Sequence, residues 1–397
     1  MFQTRVLSSL DEEKRLALLE KLGCEKRGVQ IMAPKAEHKL VYAKGLDPRA
    51  ANIVKQEFLA AGGEVAVSWE ALNISENRSE IVMMGTHSQY RRVLKKLKEQ
   101  PFDLDRLANE VKTAIENFDE PPYPPWSSKN TEVMGILNVT PDSFHDGGKF
   151  DAKDKAVERA IAMVDEGADI IDIGGESTRP GSERISLKEE KERILPVIRE
   201  ISDITDVPIS VDTYKPEIAD KAVDAGADIV NDVFGLRTDG MPEKIAELDV
   251  PVIIMHMQGK PRTMQKNPSY EDVITDISTF FLERVKVAEK AGIDPSKIIL
   301  DPGIGFGKKL HHNLEILNRL EEFNSLGFPI LLGASRKSFL GDILNKPSEE
   351  RLFGSLAVAS LAVEKKVRII RVHDVSETID VMKTVDSIQN YSRSRGQ

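Results

Sequence analysis

Residues 208–233 read PISVDTYKPEIADKAVDAGADIVNDV, and this stretch decides the fold. Pro208–Thr213 is a short β-branched apolar run, Pro216–Ala225 has helical spacing with proline at its start, and Asp228–Val233 is a second apolar run. Strands joined through a helix run parallel, and parallel sheets are covered by helices. The same unit recurs on both sides. Further strand candidates are Val133–Val139, Asp169–Gly175, Pro251–Met257, Lys297–Gly303, Pro329–Ser335 and Val367–His373. Helical patterns fall between them, at Lys155–Glu166, Leu187–Ile204, Tyr270–Lys290 and Ser348–Lys365 among others. Eight strands in roughly 265 residues match an α/β fold of the closed (β/α)8 TIM-barrel type. An open doubly wound sheet is the alternative that periodicity leaves.

Working outward, residues 119–130 read DEPPYPPWSSKN, with four prolines. Proline removes backbone donors and forbids helix, so a stiff, extended linker is expected there. Residues 1–118 then form a separate module. Leu40–Ala43, Val65–Trp69 and Ile81–Met84 read as strands, and Asp47–Ala61, Ser88–Glu99 and Leu104–Phe118 as helices, the first stopped by Gly62-Gly63. This is a small α/β accessory domain without a recognisable chemical motif. Its basic run, Arg91 to Lys98, reads as the solvated face of a helix. The barrel is expected over 131–397.

The 397 residues carry 55 Lys and Arg against 65 Asp and Glu, a formal net charge of −10. An acidic chain without a basic tail does not suit nucleic acid or an anionic membrane, where binding begins with charge attraction. A single cysteine, Cys24, cannot form an intramolecular disulfide. The longest apolar stretches, such as Leu356–Val363, fall well short of the ~20 residues of a membrane span, and the N-terminus lacks the apolar core of a signal peptide. A soluble, cytoplasmic protein is expected.

The chemistry collects at the strand ends. In order they carry Asn138, Glu176 to Arg179, Asp212, Asn231 with Asp232, His256, Asp301, Arg336 with Lys337, and Arg371 with His373. In a parallel barrel all of these converge on one face. Asp212, Asn231 and Asp301 suit the edge of a flat heterocycle rich in N–H and C=O groups. Lys337, Arg371, His373, Arg179 and Arg336 suit an anion such as phosphate. For any one aspartate, capping the helix that follows its strand is an equally good reading. His256 also reads as a packed histidine, and GIGFGK (303–308) lacks the spacing of a phosphate loop.

These segments also resemble a known family. MGILNVTPDSF (134–144) and DIGGESTRPG (172–181) are similar to the two signature segments of the dihydropteroate synthases. The resemblance continues through SVDT (210–213), MHMQGKPRTMQ (255–265), DPGIGFGK (301–308), GASRKSF (333–339) and RVHDV (371–375), over about two thirds of the chain. It implies that a 6-hydroxymethyl-dihydropterin pyrophosphate condenses with p-aminobenzoate to give dihydropteroate and pyrophosphate, assisted by Mg²⁺. By similarity, Asp212, Asn231, Asp301 and Lys337 grip the pterin edge, Arg371 stacks on the ring, and Met255 and Phe306 line the pocket. Asn138 lies near the metal, Arg371 and His373 meet the leaving anion, and Thr178, Arg179 and Ser338 place p-aminobenzoate. The resemblance also implies a homodimer, to which Leu356–Val363 would contribute, and sulfonamide sensitivity. The loops at 142–149 and 177–183 would close over substrates, with His145 a solvent-facing departure from the family pattern. A pterin-dependent methyltransferase shares the barrel and the Asp/Asn contacts but has no need of STRPG, SRKS and RVHDV; a non-catalytic pterin-binding relative is the other alternative.

Overall fold

The computed structural model describes residues 2–7, 12–140, 149–176, 184–259 and 264–389. The two expected loops, with His145, Thr178 and Arg179, lie outside the described residues, apart from residue 149. The chain divides into two compact units, Met1–Glu116 and Asn117–Gln397.

The first unit opens with α1 (Glu12–Lys21) and α2 (Lys26–Met32), followed by β1 (His38–Leu46), α3 (Pro48–Ala61), β2 (Glu64–Val67), α4 (Trp69–Leu72), β3 (Ser79–Thr86), α5 (His87–Leu97) and α6 (Leu104–Asp119). Its three strands form an antiparallel sheet in the order β1-β3-β2. Helix α3 starts where the Asp47 carboxylate accepts from the Arg49 N–H at 2.8 Å, and it stops at Gly62, whose φ of 80° suits glycine. Thr86 and Gln89 cap α5 reciprocally. Val54, Phe58, Met83, Val93, Leu97 and Leu104 close one apolar core.

The second unit is the barrel. It runs β4 (Glu132–Asn138), α7 (Lys149–Asp165), β5 (Ile170–Gly174), α8 (Leu187–Ile204), β6 (Ile209–Asp212), α9 (Pro216–Asp224), β7 (Ile229–Asp232) and α10 (Met241–Leu248). It continues through β8 (Val252–Met255), α11 (Val273–Ala291), β9 (Ile298–Asp301), α12 (Leu310–Asn318), β10 (Leu331–Leu332), α13 (Ser338–Leu344), α14 (Leu352–Glu364), β11 (Ile369–Val372) and α15 (Val375–Gln389). All eight strands are parallel, in the order β10-β11-β4-β5-β6-β7-β8-β9. The parallel bridge Leu300↔Ile330 and the Leu300 N–H on the Pro329 carbonyl (3.0 Å) join β9 to β10 and close the ring. The sheet is therefore a barrel and not an open, doubly wound sheet. Strand β10 is shorter than the expected Pro329–Ser335, and the last helical candidate begins at Leu352 after a 3-10 turn at Ser348–Glu350.

The strand period of two positions the site. Met134, Ile170, Ile229, Ile253, Ile299, Leu331 and Ile369 point inward and fill the lower barrel as one buried layer. Two residues further along their strands stand Ile136, Asp172, Asn231, Met255, Asp301, Gly333 and Arg371. The interior thus turns from apolar to polar between one layer and the next.

The Pro-rich segment closes the opposite end. Residues 121–124 are extended, a turn follows at 125–126, and the segment is tied down: the Arg368 guanidinium donates to the carbonyls of Pro121, Pro122 (3.1 Å) and Asn130 (3.1 Å) and lies 3.8 Å over the Tyr123 ring. Trp126 packs on the inward apolar layer while its indole N–H donates to Glu132 at 2.9 Å. An extended proline run has carbonyls with no ladder partner, and one buried arginine supplies the donors. Arg368→Ala is predicted to cost about 3 kcal/mol of stability, because several charge-assisted bonds go at once. Chemical denaturation with limited proteolysis checks this, and the expected result is new cleavage within 120–130.

Candidate active site

At the mouth of the barrel the inward polar residues meet. The Arg371 guanidinium, carried by β11, donates from Nε to Asp172 on β5 at 2.6 Å and from a terminal nitrogen to Asp212 on β6 at 2.9 Å. Asp172 is fully buried. It also accepts from the Ser210 hydroxyl at 2.6 Å and lies 3.3 Å from the Asn231 amide nitrogen. Asp172 and Ser210 are not among the sequence candidates. The signal that finds them is the period of two counted up from Ile170 and back from Asp212.

Asp301 and Lys337 form the facing side. One Asp301 oxygen accepts from the Gly303 N–H at 2.7 Å, and Lys337 donates to the Ile304 carbonyl at 2.5 Å while lying 4.6 Å over the Phe306 ring. Met255 is buried in an apolar cluster with Val233, Met257 and Met264, against which Phe306 packs. Nothing bulky stands between: a methyl group on Gly333 would come 3.8 Å from Lys337 Nζ and 3.9 Å from Arg371, and one on Gly174 would come 3.5 Å from Asp212. Glycines at these two inward positions keep the mouth open.

Burial governs the electrostatics of the mouth. Three carboxylates (Asp172, Asp212 and Asp301) share two cations (Arg371 and Lys337) in a space largely removed from water. Burial pushes Asp212 up to about 7, with Asp172 adding to the shift and Arg371 opposing it. Burial likewise raises Asp301, against the pull of Lys337. Burial brings Lys337 down to about 8, with Asp301 resisting. Arg371 ends above its usual value because Asp172 and Asp212 outweigh its own desolvation. Near neutral pH the mouth therefore holds groups poised to exchange hydrogen bonds with a polar ring.

The remaining candidates divide. Asn138 ends β4, and its amide oxygen lies 3.9 Å from the position a Gly174 methyl would take, on the same side as Asp212. A single neutral oxygen suits a hydrated Mg²⁺, which takes few protein ligands and completes its shell from water and phosphate. His373 sits beyond β11, with Nδ1 3.0 Å from the Ser335 hydroxyl. Ser338 is exposed at the first turn of α13. Arg336 does not join the mouth: its left-handed backbone (φ 56°) carries the side chain to Asp374, which accepts from Nε at 2.9 Å. Asp232 faces the backbone instead, accepting from the N–H groups of Phe234 (2.8 Å) and Leu236 (2.7 Å). Glu176 is taken up by Lys215 (2.6 Å) and Tyr214 (3.1 Å).

Because the folded state raises Asp212, it holds that proton more tightly than the unfolded chain does. The stability this contributes is present below the unfolded value of 3.8 and is lost as pH rises through about 7. The melting temperature of Asp212→Asn relative to the unaltered protein is therefore predicted to rise between these limits and level off above about pH 7. A thermal series across that range checks it.

Comparison with known proteins agrees with this geometry. The family described as "Pterin binding enzyme" matches residues 134–373. The chain is 49% identical over 255 residues to the dihydropteroate synthase of Escherichia coli, covering 64% of this chain and 90% of the relative. It is 50% identical over 263 residues to that of Bacillus subtilis, covering 66% and 90%. A probable bifunctional folylpolyglutamate synthase/dihydropteroate synthase of Halobacterium salinarum is 42% identical over 384 residues. That match takes in 96% of this chain, and the chain spans about half (46%) of that relative's length. Among solved structures, a Yersinia pestis dihydropteroate synthase in a sulfonamide drug complex superposes with a TM-score of 0.63 at 45% identity, covering 66% of this chain and 94% of the other. A Xanthomonas albilineans dihydropteroate synthase with 4-aminobenzoic acid gives 0.62 at 43% identity, covering 65% and 93%. With its barrel matched along nearly the full length of such enzymes, the chain belongs to the dihydropteroate synthase family of pterin-binding enzymes.

Proposed function

We propose that the chain condenses 6-hydroxymethyl-7,8-dihydropterin pyrophosphate with p-aminobenzoate to give 7,8-dihydropteroate and pyrophosphate. The observation that carries this reading is the convergence of Asp212, Asn231, Asp301, Lys337 and Arg371 on one open mouth. A pterin edge presents N–H donors beside ring and carbonyl acceptors. Asp212 and Asp301 would accept from it, and Asn231 and Lys337 would donate. Arg371, held edge-on by two carboxylates, would offer its flat face to the ring, with Met255 and Phe306 as apolar walls.

Charge development decides the chemistry. As the C–O bond to pyrophosphate breaks, negative charge grows on the departing oxygen and positive charge on the pterin methylene. His373 and Arg371 would meet the first, and the buried carboxylates would steady the second. The neutral amine of p-aminobenzoate then attacks the methylene and loses its proton. Pyrophosphate-bound Mg²⁺, held at Asn138, would supply charge neutralisation of the leaving group. Ser338, exposed at the start of α13, is proposed by similarity to place p-aminobenzoate. Thr178 and Arg179 are proposed for the same substrate by similarity.

Two further properties belong to this reading. A homodimer is supported by apolar side chains exposed on successive helices: Leu310 and Leu314 on α12, Ile343 and Leu344 on α13, and Phe353 on α14, which is 77% exposed. The Leu356–Val363 stretch lies on that same α14. Sulfonamide sensitivity is supported by the likeness to the Yersinia pestis synthase, whose structure holds a sulfonamide drug. Among the described residues no helix is long and apolar enough to cross a membrane, and a cytoplasmic location is part of the proposal.

Pyrophosphate release with the dihydropterin pyrophosphate and Mg²⁺ tests the reaction. Release that requires p-aminobenzoate and yields dihydropteroate is the expected outcome. Methyl transfer, or pterin binding without release, would replace the proposal with one of its two alternatives. Lys337→Ala is expected to lower kcat/KM about 100-fold or more while leaving the folded barrel intact, because one strong donor is lost from the site.

A further inference from the structure

On the loop that follows β9 lies a buried cation that the proposed reaction does not use. Lys308 is 3% exposed. Its ammonium donates to the carbonyls of Gly303 (2.9 Å), Phe306 (3.1 Å) and His256 (3.4 Å) and lies 2.9 Å from His256 Nδ1. None of these partners is a carboxylate. Burial holds both Lys308 and His256 well below their usual values. A buried ammonium is costly unless its donors are satisfied, and here the chain folds around it to do so.

The segment that folds around it is the β9–α12 loop. Gly303, Gly305 and Gly307 all adopt positive φ, of 67°, 83° and 62°. Such a loop has little conformational preference of its own. It also lies close against the 256–258 backbone: a methyl group on Gly303 would come within 2.0 Å of the His256 carbonyl, and one on Gly307 within 2.6 Å of that of Gln258. While Lys308 holds the carbonyls of Gly303 and Phe306, the carbonyl of Ile304 holds Lys337, and the Phe306 ring lies beneath the Lys337 ammonium. The Gly303 N–H fixes one oxygen of Asp301.

We infer that Lys308 is a positioning residue for the pterin site: by holding the Gly303 and Phe306 carbonyls about its ammonium, it fixes the Ile304 carbonyl and the Phe306 ring that seat Lys337 beside Asp301. This rests on the proposed function. An apolar residue of the same length fills the space without directing the loop. The part played by Lys308 is thus exerted through Lys337 and differs from ordinary core packing.

A double-mutant cycle between Lys308→Met and Lys337→Ala tests it, read as kcat/KM for the dihydropterin pyrophosphate on folded protein. Lys308→Met is expected to lose about 100-fold, as for a displaced contact near reacting groups. Adding it to Lys337→Ala is expected to cost almost nothing more. Losses that multiply, or turnover of Lys308→Met equal to the unaltered protein, would overturn the inference. Should Lys308→Met fail to fold, His256→Gln removes the ring-nitrogen partner and takes its place in the cycle under the same two outcomes. If the unaltered protein releases no pyrophosphate, it is the functional reading that fails. The cycle is then read as the dissociation constant of 6-hydroxymethylpterin by fluorescence, and non-additive losses still support the inference while additive ones overturn it.

Discussion

One guanidinium shared between two buried carboxylates organises the mouth of this barrel. Arg371 reaches from the last strand to Asp172 and Asp212 on the second and third. Groups of this charge are removed from water at a cost that only close partners offset. The pairing therefore depends on strand register: a slip by one residue would turn each of these side chains outward among the helices. The apolar layer beneath, from Met134 to Ile369, holds that register. The same enclosure removes Asp212 and Asp301 from water, and burial is what raises both, against the pull of Arg371 on the one and of Lys337 on the other.

Much of this is legible in the sequence. The apolar runs and their helical partners announce a parallel α/β barrel, and polar residues at the strand ends mark the face that carries chemistry. Asp172 escapes such a reading because it stands inside an apolar strand, IIDIG, where only the direction of alternation distinguishes a pocket residue from a misfit. Ser210 escapes it for the same reason. Arg336 reads as a pocket residue because its neighbour Lys337 belongs there; its left-handed backbone, which no composition rule reveals, sends it to Asp374. The proline run reads as a linker since proline content predicts an extended chain and says nothing of what that chain touches. Its partner, Arg368, is more than two hundred residues away in sequence.

The two units differ in what they share with relatives. The barrel accounts for the matches to the bacterial synthases, which cover about two thirds of this chain. The match to the Halobacterium salinarum protein takes in the first unit as well. Within the barrel, support for the site extends beyond the pocket itself: Lys308 shapes the glycine-rich loop after β9, and that loop holds Lys337 through the Ile304 carbonyl. A flexible segment becomes a fixed wall by enclosing a charge that must be satisfied.

The most direct test of this account is calorimetric titration of the dihydropterin pyrophosphate into Arg371→Lys, beside the unaltered protein. Lysine keeps the charge but lacks the planar fork that spans Asp172 and Asp212. The account predicts a folded barrel whose affinity falls about 100-fold, in line with loss of an orienting contact. Affinity equal to that of the unaltered protein would contradict it, since the shared guanidinium would then not be what shapes the pocket.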